Sequence, residues 1–109
     1  MINIKDFSKL DLRIGTIEKV ERFPEAKKAA YKLWINFGPY GEKWSSAQIT
    51  NNYSREELKG RQIITVMNLG NKKIGTFTSE VLVMGAEDPN GNIVLLETDG
   101  EIQNGSRAN

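Results

Sequence analysis

The chain has 109 residues, 39% hydrophobic and 27% charged, and its 15 Lys+Arg against 14 Asp+Glu leave a net charge of +1. That length fits one domain, residues 1–109, able to bury about two-thirds of its unfolded surface. Cysteine and histidine are both absent, which excludes a disulfide framework, a thiolate nucleophile, sulfur-ligated zinc and every Ser-His or Cys-His arrangement. No apolar run approaches the ~20 residues of a membrane-spanning helix, and Met1 to Asp6 carries no apolar signal stretch. Ser45 and Ser46 have no activating base, and Glu56-Glu57 and Glu87-Asp88 lack the loop pattern of a calcium site. The expectation is a cytoplasmic protein that binds rather than catalyses, with no cofactor and no metal.

In chain order, Ile4, Phe7 and Leu10 recur at spacing three and predict a short amphipathic helical turn within an N-terminal extension, residues 1–10. Leu12 to Phe23 reads as a long strand, with Gly15 as the point where it bends. Pro24 to Lys28 is a loop. Tyr31 to Phe37 is a second strand, with Tyr31, Leu33, Ile35 and Phe37 on one face and Lys32, Trp34 and Asn36 on the other. Gly38-Pro39-Tyr40-Gly41 turns the chain into a third strand, Glu42 to Ile49.

Ser54-Arg55-Glu56-Glu57 matches a capping box, so a short helix starts there and Gly60 stops it. Gln62 to Met67 is a strand rich in β-branched residues. A basic, Gly-containing connection follows, Gly70 to Thr78. Val81 to Met84 and Ile93 to Leu96 are further strands joined through Pro89-Asn90-Gly91, and residues 93–109 form a C-terminal extension with turn signals at Asp99-Gly100 and Asn104-Gly105. Strands with regular turns predict an all-β barrel or sandwich. One helix after the third strand is the arrangement of the five-stranded OB barrel; pattern alone leaves other small barrels open.

Charge is unevenly placed. From Leu58 to Glu80 the cations Lys59, Arg61, Lys72 and Lys73 face one anion, Glu80. Beyond it, Glu87, Asp88, Glu97, Asp99 and Glu101 face Arg107. A basic centre attracts phosphate even in a nearly neutral chain.

An ordered set of motifs then narrows the reading: Asp11-Leu12-Arg13-Ile14-Gly15-Thr16-Ile17, Phe23-Pro24-Glu25-Ala26, Lys32 to Gly38, Ser45-Ser46-Ala47-Gln48-Ile49-Thr50, Asn68-Leu69 with Lys72-Lys73-Ile74, Ser79 to Gly85, and Asn104-Gly105-Ser106. From about Phe7 to Arg107 the chain resembles the tRNA-binding OB-fold domain family, which includes free-standing dimeric tRNA-binding proteins and the appended domain of methionyl-tRNA synthetases. The Ser-Ser-Ala-Gln-Ile-Thr and Ser-Glu-Val-Leu-Val segments are similar to its CsaA branch of export-related chaperones. The resemblance implies an OB barrel, a homodimer, no catalysis, and tRNA contacts on the loop before the last strands. The family pattern there is Asn-Leu-x-Pro-Arg-Lys followed by Ser. Asn68, Leu69, Lys72, Lys73 and Ser79 stand at those positions, with Asn71 in place of Pro and Lys72 in place of Arg. Lysine is a point charge where arginine is a fork.

Lys72 and Lys73, with Asn68, Asn71, Thr76, Thr78 and Ser79 nearby, read as a phosphate clamp; a solvated hairpin tip is the competing reading, and the resemblance favours the clamp. Lys32 beside Trp34 on the polar face of the second strand can hold a backbone and stack a base. Arg13 is expected to pair with Asp11. If the chain is a chaperone for unfolded preproteins, in contact with export machinery, Tyr40 and Trp44 are the candidate peptide-binding residues, while Phe77 reads as core filling. Ile2, Ile4 and Phe7, with Val94, Leu95 and Leu96, exceed what one small barrel buries and predict a two-fold dimer through the extensions. A dimer would present two basic loops to one tRNA. A third expectation is an accessory subunit delivering tRNA in trans to a synthetase.

Overall fold

The computed structural model describes residues 1–109. Its elements are α1 (Ile4–Phe7), β1 (Leu12–Arg22), β2 (Tyr31–Asn36), a single 3-10 turn (Gly38–Tyr40), β3 (Glu42–Ala47), α2 (Arg55–Leu58), β4 (Gln62–Val66), β5 (Lys72–Ile74), β6 (Phe77–Ser79), β7 (Leu82–Val83), β8 (Gly85–Glu87) and β9 (Ile93–Leu95). The main sheet has five strands in the order β3-β2-β1-β4-β7, every neighbouring pair antiparallel. It curls into a nearly closed barrel, the expected OB arrangement, with the one helix between β3 and β4 lying after the third strand. No helix is long and apolar enough to cross a membrane.

Alternation builds the core. Leu33, Ile35 and Phe37 point inward from β2 and are fully buried, joined by Ile17, Leu58 and Ile63. Leu58 closes one end of the barrel from α2, whose capping box forms as read: Ser54 Oγ accepts from the Glu57 amide at 3.3 Å, and Glu57 Oε1 accepts from the Ser54 amide at 2.9 Å. These contacts hold the Glu57 carboxyl below the usual glutamate range, the Ser54 backbone bond foremost. A second capping box, Asn3 with Asp6, starts α1.

The first strand bends for a reason different from the expected one. The β1–β2 register slips between Ile17 and Lys19, so Glu18 sits in a bulge. Gly15 is instead a close-packing position: a Cβ there would lie 2.6 Å from Ile35 Cγ2 and from Phe37 Cε1. The N-terminal half of β1 has no β2 partner, because that pairing starts at Thr16. The chain's end fills the gap. Gly105 N donates to Ile14 O, Ile14 N to Ser106 O and Ala108 N to Leu12 O, at 2.8 to 2.9 Å. Arg107 adds bonds to the Ser8 and Leu10 carbonyls. The C-terminal extension thus completes the barrel wall of its own chain.

Two expectations about apolar ends are corrected here. Phe7 is half-buried and Leu95 is buried, so Ile2, Ile4, Val94 and Leu96 are what remains exposed. The β8–β9 hairpin is held by Asp88, whose Oδ1 accepts from the Asn90 and Asn92 amides at 2.9 and 3.0 Å.

Replacing Gly15 by Ala forces Ile35 or Phe37 off its rotamer. Overpacking of this kind costs about 1–3 kcal/mol, and equilibrium urea unfolding of Gly15→Ala should show a lower midpoint with an unchanged slope.

Candidate nucleic-acid interface

The basic connection after β4 is not an open loop. It folds as a hairpin in which Lys72 pairs with Ser79, Lys73 with Thr78 and Ile74 with Phe77. A two-residue loop, Gly75-Thr76, joins the strands, and Gly75 has φ +61 at the first central position, as a type II′ turn requires. That Gly-Thr pair between Ile74 and Phe77 was a sequence signal for the hairpin.

The hairpin is tied down at both ends by two residues read as RNA contacts. At its entry, Asn68 Oδ1 accepts from the Asp11 amide and Asn68 Nδ2 donates to the Lys9 carbonyl, both at 2.8 Å. At its exit, Ser79 is buried and its Oγ accepts from the Ser46 amide of β3 at 2.9 Å. Glu80 continues the seam: its amide donates to the Trp44 carbonyl, and its carboxylate accepts from the Trp44 amide, each at 2.8 Å. Both lysines between these anchors are exposed.

Three ion pairs form: Lys9 with Asp6, Arg13 with Asp11 as expected, and Arg61 with Glu97 at 2.6 Å. Lys32, Lys72 and Lys73 are in none of them. Arg61 of the basic centre is therefore cancelled by the acidic tail, and the Glu97 bond raises its already high pKa. Asp99 and Glu101 line a separate polar cleft with Glu97, Gln62 and Asn104.

Between hairpin and barrel lies an aromatic row. Trp34 and Trp44 face each other across β2 and β3 with ring centroids 4.9 Å apart. Trp44 meets the edge of Phe77 at 5.8 Å, and Phe77 meets Phe23 at 5.1 Å. Lys32 Nζ stands 4.8 Å from the Phe23 centroid and 5.1 Å from that of Phe77, within cation–π range. Phe77 is thus not core filling: it is half-buried on the outer face and joins hairpin to barrel. Tyr40 lies elsewhere, under the Arg13 guanidinium at 4.3 Å. Tyr40 and Trp44 are not brought together.

Beyond the indoles, Asn36 pairs with Glu42, and Asn36 Nδ2 donates to the bulged Glu18 at 3.2 Å. The Glu18 and Glu42 carboxyls share a hydrogen bond. It pulls the Glu18 pKa below the glutamate range and pushes that of Glu42 above it.

A different concavity, about 690 Å³, opens beside the hairpin's other side. It is mainly apolar, with Leu69, Ile74, Leu82, Met84 and Ile93 among its lining residues. Neither Tyr40 nor Trp44 lines it.

A closed small barrel carrying an outer aromatic face and an uncompensated basic hairpin defines an oligonucleotide-binding type of module. The profile of the tRNA binding domain family matches residues 12–107, and the chain belongs to that family. Two solved structures are similar over the full chain. The chaperone CsaA of Bacillus anthracis shares 47% identity with a TM-score of 0.94, covering 100% of this chain and 99% of that one. The CsaA chaperone protein of Picrophilus torridus shares 49% identity with a TM-score of 0.94, covering 100% of both. Among longer relatives, the methionine–tRNA ligase of Methanocaldococcus jannaschii is 35% identical over 106 residues, 97% of this chain. The chain spans only 16% of that ligase's length.

If Asn68 acts as the hairpin's anchor, Asn68→Ala loses two hydrogen bonds worth about 0.5–1.5 kcal/mol each. Hydrogen exchange should then show faster exchange at the Asp11 amide, with the β1–β2 ladder amides unchanged.

Proposed function

We propose that residues 1–109 act as one non-catalytic, cytoplasmic unit that binds tRNA by shape and phosphate through the β5–β6 hairpin. Lys72 and Lys73 supply the phosphate contacts and Lys32 extends them onto the barrel face. Asn68 and Ser79 hold the hairpin ends that aim them. The observation that carries this reading is a pair of exposed lysines, free of carboxylate partners, on a hairpin fixed at both ends. The exposed apolar residues Ile2, Ile4, Val94 and Leu96 support a homodimer. Paired copies would offer two hairpins to one RNA and make the second contact intramolecular.

The binding is electrostatic and so salt-dependent. With roughly three to four phosphates neutralised per subunit, affinity should fall with a log–log salt slope of about −3. Filter binding of total tRNA at two salt concentrations measures it, with sedimentation of the same sample for the dimer. Lys72→Glu with Lys73→Glu should abolish binding at moderate salt while the unfolding midpoint stays near the parent's, since both side chains are exposed. Parent-like binding by that double variant would sink the assignment.

A second reading is favoured by the apolar groove. A groove of about 690 Å³ lined by Leu69, Leu82, Met84 and Ile93 accommodates extended apolar peptide, and the similar structures are named chaperones. On this reading the chain holds unfolded preproteins for export. Leu82→Lys should weaken capture of a reduced, unfolded polypeptide at high salt and leave tRNA binding intact; equal capture by parent and variant would remove the groove from consideration. A tRNA-delivering partner of a synthetase remains the third arrangement, testable by co-purification.

A further inference from the structure

We propose that the outer face of β2 and β3 is a stacking platform for unpaired bases, with Trp34 and Trp44 receiving the base and Lys32 receiving the adjacent phosphate. This rests on the nucleic-acid reading above and adds what the RNA must present there: single-stranded nucleotides rather than duplex.

The outer face of an antiparallel barrel is expected to be polar. Here cross-strand register lays out three rows. Glu21, Lys32 and Ser46 form the first, Lys19, Trp34 and Trp44 the second, and Glu42 with Asn36 the third, next to bulged Glu18. Two indoles therefore occupy the middle of a face otherwise made of charged and amide side chains. Their planes are inclined at 50°, and both are half-buried, so neither ring covers the other completely. Phe77 walls one side of the row from the hairpin. An aromatic surface of this kind accepts any base, because every base has a π face.

Charge distinguishes the occupant. The face is cationic on the hairpin side and anionic at the opposite end. Lys32 makes no ion pair with Glu21 opposite it; its ammonium is turned instead over Phe23 and Phe77, toward Lys72 and Lys73. The Glu18 and Glu42 carboxyls repel phosphate from the far row. A nucleotide strand fits that gradient in one way, with its backbone along the lysines and its bases over the indoles. An apolar peptide has no use for the gradient, and a duplex hides its base faces.

The probes are a fluorescein-labelled octauridylate and a blunt RNA duplex of equal phosphate number, titrated at low salt. The parent's indole fluorescence should be quenched by the octauridylate and not by the duplex. Trp44→Leu and Trp34→Leu should each weaken octauridylate binding at least ~5-fold, with duplex binding unchanged and Trp44→Phe restoring most of the loss. Lys72→Glu with Lys73→Glu should weaken both probes. If the leucine variants bind octauridylate like the parent while the lysine variant fails, the platform is refuted and the phosphate reading stands. If the parent binds neither RNA nor tRNA, the nucleic-acid reading falls and takes the platform with it. If Trp44→Leu does not fold, the Trp34→Leu and Trp44→Phe titrations decide: parent-like binding by Trp34→Leu overturns the proposal.

Discussion

The seam between β3 and residues 79–81 is the constraint on which the rest depends. Strand pairing does not close the barrel there; side chains do much of it. Ser79 Oγ accepts from Ser46 N, the Glu80 carboxylate from Trp44 N, and Ser45 Oγ donates to Val81 O, beside one backbone bond from Glu80 N to Trp44 O. A carboxylate acceptor makes a stronger bond than a neutral one. The same four bonds do two jobs. They bury Val81 against the core and they fix the exit of the basic hairpin directly over the outer face of β3. Cations six to seven residues upstream of the seam acquire a defined position only because of it.

Net charge conceals this arrangement. Each sign is folded onto the other where structure needs it: Arg13 onto Asp11, Arg61 onto Glu97. Exposed pairs of this kind contribute little stability, but they remove charge from the external field. What is left uncompensated near the seam is Lys32, Lys72 and Lys73, and what is left elsewhere is the carboxyl-lined cleft with Asp99 and Glu101. A chain with a formal charge of +1 thereby offers a localised positive patch.

Most of the barrel was legible because period-2 alternation and a capping box are local signals. Tyr31 to Phe37 declared its inner face, and Ser54 with Glu57 declared the helix. The misses share one cause: they depend on partners distant in sequence. Gly15 reads as a bend until Phe37 is seen packed against it. Phe77 reads as core because nothing nearby in the chain reveals that its neighbours are Trp44 and Phe23. Asn68 reads as an RNA contact because its true bonds reach back 57 and 59 residues. The cations of the site were found; the atoms that aim them were not.

That division bears on the two departures from the family pattern. Asn71 for proline frees the backbone before the hairpin, and Lys72 for arginine gives up a planar fork. Either change alone would loosen recognition. The hairpin restores order by other means, through the Asn68 clamp at its entry, the II′ turn at Gly75 and the Ser79 bond at its exit. Rigidity of the backbone is thus recovered, whereas directionality at the phosphate is not, since an ammonium bonds equally well over a wide range of approach. Discrimination among RNAs must then come from a surface with geometry of its own. The only such surface adjoining these lysines is the indole pair, whose inclination and register are set by the β2–β3 ladder rather than by the hairpin.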